Sequence, residues 1–561
     1  MKQALFYCGI FIFLNLNIKS SYSEIVFVDI SGMAGVSGDI YFSAGGHGLG
    51  VNWVDINNDG WDDLFVVGGK PDIPPKLFLN NKNGTFTPSH HLLPKLPAVE
   101  MSGSRFADFD RDGDKDLFIY TDNLRFRLFT TNDPDGPANI LLKNNFIETG
   151  EISFINIAQQ SGLDDLAPVP LGDLPSYRSK TASWMDYNRD GCIDLFVGHL
   201  VINSSGENSN KDRLFHNNCD GTFTDKTSES GINPGNNKQS YRAALVSGGF
   251  QLTNDLWPDL YVVNVSGIQP QPLLNDFLYI NQSKDNLENQ FIESINQSFG
   301  VGDDAQAGMG IDTADINHDG NWDIYISDLF DTDLDELPLG NVLYMGNEKG
   351  GFSDNSAPET GVQSRASWGV NFFDADNDTW EDLFVATIFM KDPDFLYRNN
   401  GTDDKGNVTF SEVLLSAGIV TENARGSATA DFDHDGDLDI AVVNQSGSLQ
   451  LFRNDTANSG NWIVLKLKST ISNLDAIGTV IRLKSGEVYQ TRQVKGGSSA
   501  HSQDSLNVHF GLANINVIDQ INVHWPSGKE TVIKNLEINQ YYEIVEPRSD
   551  LIFYFGFESI E

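Results

Sequence analysis

The stretch Asp431-Phe432-Asp433-His434-Asp435-Gly436-Asp437-Leu438-Asp439 runs directly into the apolar segment Ile440-Ala441-Val442-Val443. Oxygen side chains stand at positions 1, 3, 5 and 9, glycine stands at 6, and the carbonyl of residue 7 is free to turn inward. Alternate residues of a tight turn point to the same side, so these oxygens converge on one hard cation. Calcium takes six to eight oxygens at about 2.3–2.6 Å, and the glycine permits the sharp bend.

The same turn recurs along the chain. The first copy is Asp55, Asn57, Asp59, Gly60, Trp61 and Asp63; the second is Asp108, Asp110, Asp112, Gly113, Asp114 and Asp116. The third uses Asp186, Asn188, Asp190, Gly191, Cys192 and Asp194, and the fifth uses Asp315, Asn317, Asp319, Gly320, Asn321 and Asp323. In the sixth, Asp374, Asp376, Asp378, Trp380 and Asp382 surround Thr379, which replaces the glycine. The seventh supplies Asp431, Asp433, Asp435, Asp437 and Asp439. The fourth, Gln251 to Asp259, lacks the first carboxylate and the glycine, and we expect weak or no ion binding there. Six intact turns imply about six Ca²⁺ ions, with position 7 (Trp61, Asp114, Cys192, Asn321, Trp380, Asp437) contributing its backbone carbonyl. The alternative is a set of solvated acidic turns. The shell has no bidentate Glu at position 12, so water completes it. We read the calcium as mainly structural.

Turn starts are spaced by 53 to 78 residues. That is too long for a solenoid repeat and suits four-stranded propeller blades with loop insertions. A small-residue strand such as Gly426-Ser427-Ala428-Thr429-Ala430 precedes the turn, as an innermost strand requires. Asn/Gly turns such as Asn80-Asn81-Lys82-Asn83-Gly84 and Asn217-Asn218-Cys219-Asp220-Gly221 lead to an outer strand carrying Phe86, Phe154, Phe223, Phe291, Phe352 or Phe410. The seventh unit has no such Phe strand after Asp455, whereas the chain start supplies one, Phe27-Val28-Asp29-Ile30. The expected fold is therefore all-β: a seven-bladed β-propeller over 24–457, closed by the N-terminal strand. Residues 460–546 lack acidic turns and alternate in short segments such as Ile463-Val464-Leu465-Lys466-Leu467, which reads as a small β-sandwich or barrel. A tail of 547–561 follows.

A net charge of -41 argues against nucleic acid, whose phosphates call for Lys and Arg, and against anionic membrane surfaces. Met1-Lys2-Gln3, the apolar run Ala4 to Leu16 and Ser21-Tyr22-Ser23 read as a signal peptide over 1–23; an N-terminal anchor is the alternative. The apolar run is shorter than the ~20 residues of a membrane span. Export to an oxidising compartment leaves Cys192 and Cys219 in one repeat, either as a disulfide or as two buried thiols.

Units such as Asp108 to Leu117 resemble FG-GAP/VCBS repeats, the calcium-turn blades of integrin α-chain propellers. The segments Ser472 to Thr479, Gly496-Gly497-Ser498-Ser499, Val508-His509-Phe510-Gly511-Leu512 and Val523 to Lys529 resemble an ASPIC/UnbV domain. In this order the two resemble the cartilage acidic protein-like family over nearly all of the mature chain. The resemblance implies a calcium-binding, extracytoplasmic propeller in adhesion or recognition, and no agreed reaction. Turn four, Thr379 and His501 depart from its pattern. The tail is similar to short IF-x-x-GFE endings of secreted bacterial proteins, which implies a sorting signal; an unstructured end is the alternative.

His47, Arg178, Arg242, Arg365 and Arg425 precede several turns by six to nine residues. At ~3.3 Å per residue they fall towards the opposite end of the channel, either binding an anionic or sugar ligand or pairing with neighbouring acids. Trp53, Trp184, Trp322, Trp368 and Trp380 either stack on sugars or pack between blades. Ser498, Ser499, His501 and Asp504 lie within seven residues, whereas catalytic triads gather from distant segments; HExxH, GxSxG, P-loop and CxxC patterns are absent. The favoured reading is a secreted, non-enzymatic protein recognising a protein or glycan. An extracytoplasmic hydrolase or lyase with its site at the channel mouth, and an accessory scaffold in a biosynthetic or surface assembly, are the alternatives.

Overall fold

The computed structural model describes residues 24–37, 50–68, 73–122, 138–164, 179–199, 212–232, 244–253, 255–264, 276–282, 291–294, 301, 307–329, 340–353, 356–388, 393–421, 423–445, 449–457 and 459–548. The proposed signal peptide, the tail beyond Arg548, His47, Arg178 and Arg242 lie outside them.

Among the described residues the repeats build seven antiparallel sheets, six of four strands and one of three. Their first strands are Val51–Val54, Glu100–Ala107, Ser179–Met185, Ala244–Phe250, Gly308–Ala314, Ser367–Phe373 and Ala424–Ala430. Each is buried throughout. An acidic turn joins each first strand to a second strand that opens on the position-9 aspartate: Asp63, Asp116, Asp194, Asp259, Asp323, Asp382 or Asp439. A third strand follows in every sheet, and in five of the seven a fourth continues it as a hairpin. These are sheets of the kind that form propeller blades.

The first strand of each sheet lies beside the first strand of the next, and Ala424–Ala430 lies beside Val51–Val54. The small residues are needed because these strands crowd together: a Cβ on Gly310 would stand 2.1 Å from the Trp368 carbonyl oxygen of the next sheet. The N-terminal strand Phe27–Asp29 pairs antiparallel with Leu449–Asn454, Phe27 opposite Asn454, and completes the last sheet.

Residues 461–545 form two further sheets. One places Asn461–Lys468 between Val508–Ala513 and, in parallel, Gln540–Val545. The other runs Val488–Gln493, Val480–Ser485, Gln520–His524, Glu530–Ile533. Ile463, Leu465 and Phe510 from one and Ile481 and Val523 from the other share one buried core, as in a sandwich.

A single segment of this module, Gln493 to Ser505, reaches six of the seven sheets and turn four. Gln503 exchanges backbone bonds with Val51 and Trp53 (3.1 Å each) and its side chain pairs with the Phe106 backbone. Trp184 N–H donates to the Gly496 carbonyl, and Gln251 N–H to Gln493 Oε1. Ser499 donates its N–H to Ile311 and accepts from Val370 at its hydroxyl. Asp504 Oδ1 accepts the Thr429 N–H at 2.8 Å.

Candidate metal turns

The turns share one hydrogen-bond scheme. The position-1 carboxylate accepts the N–H groups of its own positions 5 and 6: Asp55 from Asp59 and Gly60, both at 2.9 Å, and Asp431 from Asp435 (3.1 Å) and Gly436 (2.9 Å). The position-5 carboxylate accepts the N–H of residue 7, as Asp190 does from Cys192 (2.9 Å) and Asp319 from Asn321 (2.8 Å). Position 9 spans the sheet: Asp439 takes the Phe432 N–H with one oxygen and the Asn454 N–H with the other. Position 6 has φ near +90°, natural for glycine; Thr379 is held there at φ 89°.

With the turn fixed this way, carboxylates converge. One oxygen each from Asp108, Asp110 and Asp116, from Asp374, Asp376 and Asp382, and from Asp431, Asp433 and Asp439 lie within 4.8 Å of one another. In turns one, three and five the position-3 residue is Asn, whose amide donates to the position-5 carboxylate (Asn57 to Asp59, 3.0 Å; Asn188 to Asp190, 2.8 Å; Asn317 to Asp319, 3.0 Å).

Burial dominates the electrostatics. It pushes Asp63, Asp108 and Asp431 up to about 8, Asp194, Asp315, Asp376 and Asp437 to about 7, and Asp114 and Asp433 to about 6. Asp116, Asp186, Asp323, Asp374, Asp382 and Asp439 are held well above the ordinary carboxylate range, by burial first and then by neighbouring carboxylates. The Oδ1 atoms of Asp108, Asp110, Asp114, Asp315, Asp376 and Asp433 are buried without a hydrogen-bond donor. Buried acceptors of this kind are costly unless satisfied, and a divalent cation fits the donor set.

Some turns carry part of their own countercharge, which the sequence pattern did not reveal. Lys143 pairs with Asp110 and Asp112, and Arg398 with Asp376 (2.5 Å) and Asp378 (2.9 Å). His216 Nδ1 lies 3.1 Å from Asp194. All three occupy the residue before the Asn that ends the third-strand core. Turn four is organised without a first carboxylate: the Thr253 hydroxyl donates to Asp255 and Asp259, and the Asp255 carboxylate accepts the Trp257 N–H.

Two sets of contacts join neighbouring sheets, and neither was anticipated. Residue 4 of six turns is left-handed (Asn58, Arg111, Arg189, His318, Asn377 and His434, φ 53–63°) and projects at the following turn. Asn58 donates to Gly113 O, Arg111 to Gly191 O and Asn377 to Gly436 O. Arg189 lies over Trp257, His318 stacks on Trp380 at 4.0 Å, and His434 stacks on Trp61 at 3.7 Å. In the second set, the third-strand Asn donates its side chain to residue 2 of the preceding turn: Asn80 to Phe432 O, Asn144 to Ile56 O, Asn217 to Phe109 O, Asn281 to Tyr187 O, Asn399 to Ile316 O and Asn454 to Ala375 O. The Asn/Gly turns carried this signal, but periodicity alone reads them only as hairpin ends.

Cys192 and Cys219 form a disulfide with Cα atoms 5.7 Å apart. Trp53, Trp184, Trp322 and Trp368 are buried. Of the basic residues ahead of the turns, Arg365 is exposed and Arg425 is buried, its guanidinium 3.9 Å from the Trp368 ring centre. Ser498 donates to Asp504 at 2.7 Å while His501 turns to the Tyr120 hydroxyl at 3.3 Å. A cavity of about 90 Å³ between the sixth and seventh sheets and the module is lined by Glu381, Arg492, Lys495, Asp504 and His509. Its charges are engaged internally, Arg492 with Glu381 and Lys495 with Asp312.

The architecture is thus an all-β repeat protein in which an acidic turn joins the first two strands of each sheet and contacts the neighbouring turn, and a second β module sits on these turns. Residues 55–119 and 376–442 match the FG-GAP-like repeat family, and residues 469–551 match the ASPIC and UnbV family. The chain carries FG-GAP-like repeats followed by an ASPIC and UnbV domain, and it is a homologue of cartilage acidic protein 1. It is 25% identical to the human protein over 291 residues, 49% of this chain and 41% of the relative, and 25% identical to that of Xenopus tropicalis over 309 residues, 53% and 44%. The matched part spans less than half the length of these relatives. None of the described helices is long and apolar enough to cross a membrane.

Proposed function

We propose that the mature chain is an exported calcium-binding protein in which residues 24–457 form a closed seven-bladed propeller and 460–546 a β module, and that it recognises a protein or glycan in adhesion. Closure is supported by three contacts between the last sheet and the first: Ala424–Ala430 beside Val51–Val54, His434 on Trp61, and Asn80 bonded to Phe432. The observation that carries the calcium reading is the set of buried, donor-less aspartate oxygens in the turns. Positions 1, 3, 5, 7 and 9 of turns one, two, three, five, six and seven would hold the ions. The cation supplies the charge that lets these carboxylates remain ionised while packed together. Export is supported by the leader-like residues 1–23 and by a disulfide suited to an oxidising compartment. The recognition role draws on the kinship to cartilage acidic protein 1, and the internally paired charges of the cavity favour it over a hydrolase or lyase.

Calorimetric titration of chelator-treated mature protein, followed by a glycan array with and without calcium, tests this reading. About six ions and calcium-dependent glycan or protein capture are expected. Absence of calcium uptake would remove its basis.

A further inference from the structure

The face that carries the acidic turns is not free. Lys466 Nζ lies 3.0 Å from Asp55 Oδ2, and the Tyr541 hydroxyl donates to Asp431 Oδ2 at 2.6 Å. Both acceptors are position-1 oxygens, the ones already bonded to their own turn's glycine N–H. Asp475 accepts the Asp108 N–H at 2.6 Å and pairs with Lys115. Two turn carbonyls are also used: Asn377 O accepts from Ala513 N–H at 2.6 Å, and Gly436 O lies 2.9 Å from His509 Nε2. Arg111 and Arg189, left-handed residues of turns two and three, donate to the Ser472 and Pro526 carbonyls. The module therefore contacts the turns at the position-1 carboxylates of turns one and seven, at residues 4 and at the bend itself, while Gln493 to Ser505 bonds to six of the sheets and to turn four.

We infer that this face is the docking surface for residues 461–546 of the same chain, and that metal occupancy of the turns and docking of the module are thermodynamically linked. The inference rests on the calcium reading. A cation at positions 1, 3, 5 and 9 holds the position-1 oxygens and the bend where Lys466, Tyr541, Ala513 and His509 meet them. Without it, the carboxylates that lie within 4.8 Å of one another in turns six and seven repel, and the acceptors of Tyr541, Ala513 and His509 shift together. Linkage is reciprocal: if calcium strengthens docking by some factor, docking strengthens calcium binding by the same factor, typically about 5- to 150-fold in coupled systems. A second consequence is that an external ligand meets the opposite face or the module's outer surface, since the turn face and the centre are occupied from within.

Two measurements on the full mature chain test this. First, Gln503→Ala with Asp504→Ala removes side-chain bonds to the second, sixth and seventh sheets and touches no turn carboxylate. Calcium affinity of this variant, by titration, should fall by about fivefold or more with the number of ions unchanged; an unchanged affinity overturns the inference. Second, a protease site placed in the connector after Ala457 allows the chain to be cut after folding. The module should co-elute with the repeats in calcium and separate in EDTA. This holds even if the double variant folds poorly, and co-elution in both buffers overturns the linkage. If the uncut chain takes up no calcium at all, the calcium reading itself falls; if it binds calcium indifferently to docking, only the linkage falls.

Discussion

At the scale of single residues, the third-strand asparagines do the most work per side chain. Asn217 is fully buried; its amide donates to Phe109 O of the preceding turn at 2.7 Å and to Ile193 O of its own at 3.0 Å, and its oxygen accepts from Cys219 N–H at 2.9 Å. Asn217→Ala leaves two buried carbonyls and one N–H without partners. We expect a loss of about 2–4 kcal/mol, read as a lowered urea midpoint, with calcium stoichiometry unchanged because no turn ligand is altered. Thr379 predicts the opposite sign. It is a β-branched residue held at φ 89° where the other intact turns have glycine, and a left-handed backbone costs such a residue roughly 1–2 kcal/mol. Thr379→Gly should raise the stability by about 1 kcal/mol, read as a higher urea midpoint; a loss of stability would mean that the threonine methyl is packed more usefully than its backbone is strained.

At the scale of the turn, charge decides the pH response. Burial and mutual repulsion raise the folded pKa values of most turn aspartates above 3.8, with Asp63, Asp108 and Asp431 near 8 and Asp194, Asp315 and Asp376 near 7. Between the unfolded value and these folded values the native, metal-free protein binds more protons than the unfolded chain, so its stability falls as pH rises through that window. In EDTA the melting temperature should therefore decline from pH 5 to pH 8. In calcium the same carboxylates are held ionised by the cation, and the slope should flatten or reverse; equal slopes in the two buffers would contradict metal binding. The turn was the most legible element because its chemistry is local: nine consecutive residues declare both the bend and the donors. Lys143 and Arg398, which neutralise two turns, sit on another strand about thirty and twenty residues further on, and nothing in local spacing announces them. Nothing in the local sequence marks His318 and His434, because their role depends on a left-handed backbone and on a Trp in another repeat.

At the scale of the whole molecule, the offset between acidic turns and Phe strands was visible because a missing strand at one end and a spare one at the other are countable. What counting could not supply is how the second module meets the repeats: nothing in the sequence around Gln503, Ser499 and Asp504 announces their bonds to Val51, Trp53, Ile311, Val370 and Thr429. The N-terminal strand gives the last prediction. Phe27–Asp29 is short, but it is tied at both ends: Val26 N–H donates to Thr456 Oγ1 at 3.0 Å, Asp455 N–H to Val26 O at 2.8 Å, Ile30 N–H to Leu451 O at 2.9 Å, and Leu451 N–H to Ser31 Oγ at 3.0 Å. Phe27 is buried against Phe373 of the neighbouring sheet, so the strand fastens two sheets as well as completing one. In a protein begun at residue 37 instead of residue 24, the backbone edge of Leu449–Asn454 is exposed, a template for pairing with another copy. The shortened protein should therefore elute as dimers and larger species, and a synthetic peptide of residues 24–37 should return it to the size of the full chain. A shortened protein that stays monodisperse and melts at the original temperature would show that the sheets hold together without this seal.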